Sequence, residues 1–337
     1  MSNPIAVWGA GAIGGTIGAH LVRAGHDVLF VDRVPEHVVT INAAGLKIIG
    51  PVREFTASGR AVTPDVVHGP FDTVLLCVKA QDTESAVRAI APHLAADGCI
   101  VSVQNGLNET VIAGIVGSAR TVGAFVNFGA DYMEPGVVQY AGRGAVVVGE
   151  IDGRITPRAE RLHALLLQFD DRAVLTGNIW GYLWAKLAYG AMLFVTALTN
   201  DSIAGCLASP SHRPLFIALA REVLSVADRA GITPEPFDGF DPSAYGSDDG
   251  AARSLDALAE HNRRSAKSHS GIWRDLAVRK RKTEADPQLG PIVTTARQHD
   301  LDAPITARLI AMIHEIEEGR RPMTWTNLDE LAEVIPA

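Results

Sequence analysis

Ile5-Ala6-Val7-Trp8-Gly9-Ala10-Gly11-Ala12-Ile13-Gly14-Gly15 is the stretch whose reading decides the fold. Four apolar residues run straight into Gly9-x-Gly11-x-x-Gly14. An amphipathic run continues to Ala24 and Gly25 closes it. A second apolar run, Asp27 to Val31, ends in Asp32. Strand, glycine turn, helix, strand and terminal acid, in that order, are the full setting of a dinucleotide-binding fingerprint. Gly9 permits the tight turn, Gly11 lacks the Cβ that would hold a pyrophosphate away, and Gly14 lets the helix approach the strand. Ala12 and Ile13 open the helix, so its free N–H groups and positive dipole end face the phosphates. Asp32 stands where a carboxylate accepts from ribose hydroxyls and repels a 2′-phosphate, which favours NAD(H). Arg33 follows at once and is able to turn toward a phosphate, which keeps NADP(H) as the alternative.

The chain has 337 residues, which suggests two domains, and 47% of them are apolar, enough for a core in each. A net charge of −8 argues against nucleic acid or an anionic membrane as partner. Cys77, Cys99 and Cys206 have neither metal-type nor CxxC spacing, and their odd number argues against a disulfide framework. No His, Asp and Glu set has zinc spacing, so no metal is expected. The first apolar run lacks a basic flank and is broken by glycines, and the longest uncharged stretch, Leu187 to Asn200, is too short to span a bilayer. A soluble cytoplasmic protein acting on a small molecule is the expectation. A homodimer is expected through the apolar helices of the second half.

Past Asp32, Glu36 to Ala43 reads as a short helix, with Leu46–Ile49 and Glu54–Ala57 as a hairpin. Asp72–Val78 and Cys99–Val103 are continuous apolar runs, the pattern of strands buried on both faces. Thr83 to His93 reads as a helix between them. Thr121–Val126, Gly136–Tyr140, Ala145–Gly149 and Ala173–Leu175 read as further strands, with a helix over Pro157–Phe169. The first domain, residues 1–177, is therefore expected to be a Rossmann-type, doubly wound α/β unit with a parallel sheet. From Trp180 the strand pattern stops. Trp180–Ile203 reads as one long buried helix, Pro214–Ala230 as a second, and Gly239–Gly250 as a loop or mobile lid. Ala251–Arg264, Ile272–Lys282, Pro287–His299, Thr306–Glu318 and Asn327–Val334 read as helices. The second domain, residues 178–337, is expected to be all-α.

Ligands of an open parallel sheet bind beyond the carboxyl ends of its strands. The glycine turn, Val78-Lys79 and Asn105 all fall there. Singly, Lys79 is as easily a solvated strand end and Asn105-Gly106 a plain turn; together they mark the cofactor edge. Lys186 stands inside a nearly uncharged helix, where desolvation lowers the pKa of an amine and makes it a general acid near neutrality. The plainer alternative is a lysine snorkelling to the surface. Glu284 follows the basic run Arg279-Lys280-Arg281-Lys282, either as an ion-paired helix end or as the group that orients a lysine or a substrate hydroxyl. The same basic run is read as a solvated face rather than a nucleic-acid site. His269, between two serines, is either a donor to a substrate carboxylate or a loop histidine without a task.

The glycine turn, Cys77-Val78-Lys79, Gln104-Asn105-Gly106, Trp184-x-Lys186-Leu187 and Arg281-x-Thr283-Glu284 occur in the order found in the ketopantoate reductases, and this chain resembles that family over most of its length. The resemblance implies a helical second domain of the 6-phosphogluconate-dehydrogenase type. It also implies hydride transfer between a nicotinamide and the C2 carbonyl of a 2-oxo acid. Lys186 would match the family's general acid and Glu284 the acid that positions it or holds the substrate. Lys79 and Asn105 would match residues at the nicotinamide and substrate edge. Ser270, in Lys267–Asp275, aligns with the carboxylate-binding turn only with an insertion. The family's asparagines one and two turns beyond the lysine are replaced by Gly190 and Phe194, which removes polar recognition, puts an aromatic face in the pocket and points to a substrate other than ketopantoate. An imine- or opine-type reductase, and a nucleotide-binding protein without activity, are the competing readings.

Overall fold

The computed structural model describes residues 3–264 and 268–336. It divides into two compact units, Met1–Ile179 and Trp180–Ala337. In the first, the strands in chain order are β1 (Ile5–Trp8), β2 (Val28–Val31), β3 (Leu46–Ile49), β4 (Phe55–Ala57), β5 (Arg60–Val62), β6 (Phe71–Leu76), β7 (Leu94–Ser102), β8 (Thr121–Val126), β9 (Gly129–Glu134), β10 (Val137–Gly142), β11 (Val146–Glu150) and β12 (Val174–Leu175).

Eight of them form one sheet in the order β12-β11-β8-β7-β6-β1-β2-β5. Every neighbouring pair is parallel except β8 and β11. Strand β1 lies in the middle, with Val7 opposite Phe30 on one side and Leu75 on the other. The apolar runs are unbroken because both faces are covered. Val7, Phe30, Leu75 and Val101 pack into one buried cluster; Ala6, Trp8, Val74, Leu76 and Ile100 pack into another. Strand order turns back on either side of β1, so the carboxyl ends of β1, β2 and β6 border the crevice where such sheets bind ligands.

A second sheet, β4-β3-β10-β9, was only partly legible. The β3–β4 hairpin is present, but β9 carries Asp131, Tyr132 and Met133 without apolar alternation. Buried His37 ties this sheet to the glycine turn. Its Nδ1 accepts from Gly136 N–H at 2.9 Å, so its Nε2–H donates to the Ala10 carbonyl at 2.9 Å.

Among the described residues, the second unit contains helices and one isolated bridge, Phe237 to Phe240. The long helix ends at Thr196 rather than at Ile203. Thr199 Oγ1 accepts from Asp201 N–H, and Ser202 caps a new helix, Ile203–Ala208, through Gly205 N–H at 3.0 Å. The stretch Gly239–Gly250, expected as a loop or mobile lid, is a packed loop: Phe240 and Tyr245 are buried, and Asp241 caps a 3₁₀ turn over Pro242–Gly246. The expected helix over Ile272–Lys282 is a short α-turn, Gly271–Trp273, followed by a π-turn, Arg274–Val278. Buried Asp275 draws the chain back there, because its carboxylate pairs with both Arg279 and Arg281. No helix among the described residues is long and apolar enough to cross a membrane.

Candidate functional site

In the first unit, a candidate nucleotide site is built by the ends of β1, β2, β6 and β7. Gly9 has φ +99°, and an added Cβ there would lie 2.8 Å from Val78 N. A Cβ on Gly14 would fall 2.1 Å from the Gly9 carbonyl oxygen, so neither position admits a side chain without moving backbone. Gly11 is different: nothing lies within 4 Å of its Cβ position. It precedes the helix Ala12–Arg23, which no side chain among the described residues caps. The N–H groups of Ala12, Ile13 and Gly14 belong to a first turn that has no intrahelical acceptor. Open space at Gly11 in front of these donors fits a pyrophosphate.

Asp32 ends β2. One carboxylate oxygen accepts from Ala10 N–H at 2.9 Å and the other from Val34 N–H at 3.0 Å. The acid therefore braces the glycine turn, and each oxygen keeps a further lone pair for a ribose hydroxyl. Arg33 is exposed and pairs with Asp82 at 3.3 Å. Tyr132 is nearby: its phenol is pushed up by partial burial first and then by Asp32, Glu36 and Glu134.

Lys79 opens a 3₁₀ turn over Ala80–Asp82 after β6, and Asn105 follows β7. The two loops are fastened by a network that sequence reasoning did not find. The Gln104 amide donates to the Val78 carbonyl at 2.9 Å and to Thr83 Oγ1 at 2.8 Å. Thr83 in turn donates to Asn108 Oδ1 at 2.9 Å, and the Asn108 amide donates to the Asn105 carbonyl at 2.7 Å. Glu109, also unforeseen, is fully buried. Burial pushes its carboxyl up to about 7, with the Ser102 hydroxyl acting the other way. Only tertiary packing hides this acid; in sequence it is an ordinary first-turn glutamate.

The second unit holds the amine. Lys186 lies on the helix Ile179–Thr196. Desolvation by burial brings its pKa down to about 8, partly offset by the charges of Asp238 and then Glu284. Glu284 immediately precedes the helix Ala285–Gln298. One turn beyond Lys186, an added Cβ on Gly190 would meet nothing within 4 Å. Tyr189, Gly190 and Leu193 are half-buried and continue the strip that Lys186 begins.

The remaining candidates are placed elsewhere. Phe194 has 0% exposure, so it fills the core and shows no aromatic face to a ligand in this structure. The family resemblance suggested the pocket for it, but its place in the helix turns the ring inward. Ser270 is buried, and its oxygen accepts from Trp273 N–H at 3.1 Å as a helix cap. His269 stacks on Trp273 with ring centres 4.1 Å apart, and its Nε2 meets the Asn200 carbonyl at 3.3 Å. These contacts engage His269 with Asn200 and Trp273. Lys267, at the start of the expected carboxylate-binding turn, lies outside the described residues. Among the described residues no group of three or more His, Cys, Asp or Glu is arranged to hold a metal.

Two family models match the chain: ketopantoate reductase PanE/ApbA over residues 5–153, and its C-terminal counterpart over residues 178–317. The 2-dehydropantoate 2-reductase of Archaeoglobus fulgidus is 28% identical over 317 residues, covering 94% of this chain and 98% of the relative. A crystal structure of a PanE/ApbA family ketopantoate reductase from Ralstonia eutropha JMP134 superposes with a TM-score of 0.80 at 27% identity, covering 94% of this chain and 99% of that one. The ternary structure of D-mandelate dehydrogenase with NADH and anilino(oxo)acetate shares the fold, with a TM-score of 0.82 at 22% identity and coverage of 94% and 99%. The family models together span most of both units, and the chain belongs to the ketopantoate reductase family.

Proposed function

We propose that this protein is an NAD(H)-dependent oxidoreductase of 2-oxo and 2-hydroxy acids, with Lys186 as its general acid and base. The observation that carries the reading is the buried amine, whose pKa near 8 suits proton transfer in either direction. When bound, the nicotinamide cofactor supplies or accepts the hydride. The chain's own residues do the rest. In reduction, protonated Lys186 gives its proton to the carbonyl oxygen of the substrate and stabilises the charge developing there. In oxidation the neutral amine takes the hydroxyl proton. Glu284 supports the protonated amine, and Asn105 and Lys79 are assigned to the polar end of the substrate and the nicotinamide edge.

The preference for NAD(H) rests on Asp32 after β2, which with Glu36 and Glu134 acts on the Tyr132 phenol, while Arg33 is engaged with Asp82. A 2′-phosphate placed there meets like charge. We expect kcat/KM for NADH to exceed that for NADPH by about tenfold or more, equivalent to ~1.4 kcal/mol, and Asp32→Ser to narrow the gap. Equal efficiency with both cofactors in the native enzyme would refute this assignment.

The substrate assignment rests on Gly190. Where the family's resemblance places an asparagine, this helix has Gly190, whose Cβ position has no atom within 4 Å, on the half-buried strip with Tyr189 and Leu193. Such a slot suits an apolar substituent on the 2-oxo acid, of the size that D-mandelate dehydrogenase accepts by its name. Phenylglyoxylate is therefore expected to be reduced more efficiently than ketopantoate. Gly190→Leu should raise KM for phenylglyoxylate by ~10-fold or more and leave pyruvate nearly unaffected. A panel in which ketopantoate is the best substrate, or in which Gly190→Leu affects both acids equally, would overturn it.

A further inference from the structure

We infer that Asp238 is a positioning residue for proton transfer by Lys186, presented to it by a turn strapped along the lysine's own helix. The inference rests on the role proposed above for Lys186. The strap is fixed at several points. Glu235 N–H donates to the Gly181 carbonyl at 3.1 Å, anchoring the segment one turn before Lys186. Phe237 and Phe240 then exchange both backbone hydrogen bonds, at 3.0 and 2.7 Å, which closes a two-residue turn over Asp238 and Gly239. Both turn residues have positive φ, +41° for Asp238 and +86° for Gly239. This is the backbone of a hairpin turn that asparagine, aspartate and glycine tolerate best.

The flanking rings hold the turn against the helix. Phe237 and Phe240 lie 6.1 and 5.9 Å from the Tyr189 ring, three residues beyond Lys186, and Phe240 also packs on Tyr245 at 5.5 Å. The Asn262 amide steadies the Tyr189 hydroxyl at 3.4 Å. A non-glycine residue held in a strained conformation by surrounding packing, next to a functional group, is a place to look for a role. The charge of Asp238 is felt by both Lys186 and Tyr189. The charged and titratable groups acting on Lys186 from the elements packed around it are Asp238 from the turn and Glu284 from the start of the helix Ala285–Gln298. Glu235, on the same strap, acts on Tyr182 instead. Asp238 thus opposes the desolvation of the amine and keeps it protonated to higher pH than burial alone allows.

The test is Asp238→Asn, which suits the positive φ and preserves the turn. Two readouts are needed: titration of Lys186 by NMR on lysine labelled with ¹³C at Cε, and the pH profiles of kcat/KM in both directions. The variant should fold and bind NADH as the native protein does. The Lys186 titration should fall by roughly half to one pH unit. The alkaline limb of reduction and the acid limb of oxidation should move down together by that amount. A Lys186 titration left in place, whatever happens to kcat, would reduce Asp238 to a turn residue. Failure of the assignment of Lys186 reads out separately, as pH limbs that persist in Lys186→Ala. Even then, the NMR titration reports on Asp238 directly.

Discussion

Lys186→Ala is expected to lower kcat by ~10²-fold or more in both directions while leaving the affinity for NADH little changed. The side chain lies in the helical unit, whereas the glycine turn and Asp32 belong to the other, so the cofactor loses none of the contacts assigned to it. The loss falls on the chemical step, because the proton must then come from water. The native pH profile carries the same signature with a definite sign. Reduction needs the ammonium form, so its rate should be level at neutral pH and fall as pH rises through about 8. Oxidation needs the free amine and should rise through the same value. Stopped-flow measurement of the nicotinamide absorbance, with pH varied, checks both. An alanine variant retaining a tenth or more of native turnover would remove the lysine from the mechanism.

Gly11→Val should abolish cofactor binding without unfolding the protein. No atom lies within 4 Å of the Cβ position at Gly11 and its φ of −69° is negative, so an added Cβ meets no atom of the described residues. The stability cost should stay near 1 kcal/mol, the penalty of a poor helix cap. The NADH dissociation constant should rise by ~10²-fold or more, about 2.7 kcal/mol, because the side chain occupies the position of the pyrophosphate. Gly14→Ala is the control with the opposite outcome: its Cβ collides with the Gly9 carbonyl and the Cys77 side chain, so the fold itself suffers. Calorimetric titration with NADH and a thermal melt of each variant separate the two cases. A Gly11→Val protein that binds NADH normally would show that the turn does not hold the phosphates.

Local pattern carried the fold of the first unit because the information there is local. Glycine spacing, unbroken apolar runs and an acid at a strand end each report the backbone they need. The parallel sheet and the Ala12–Arg23 helix follow from them. Strands β5 and β9 left no such mark, because edge positions with one face half exposed impose no alternation. The second unit was legible as helices but not in their breaks. The stop at Thr196 depends on Thr199 and Ser202 binding backbone nearby, and the π-turn over Arg274–Val278 depends on where Asp275 finds its two arginines.

By itself, the amino-acid sequence determined that this chain builds a glycine-rich strand–turn–helix into a Rossmann-type sheet and carries a lysine in an apolar helix. Both follow from which residue types stand at which spacing. Which groups surround that lysine was decided only by tertiary structure, since Asp238 and Glu284 stand 52 and 98 residues farther along the chain. The same holds for Phe194, which the family resemblance placed at a pocket and packing placed in the core, and for Gly190, beside whose Cβ position no atom lies within 4 Å. Charge and space around a side chain are properties of contacts between distant segments, and no periodicity in a linear sequence records them.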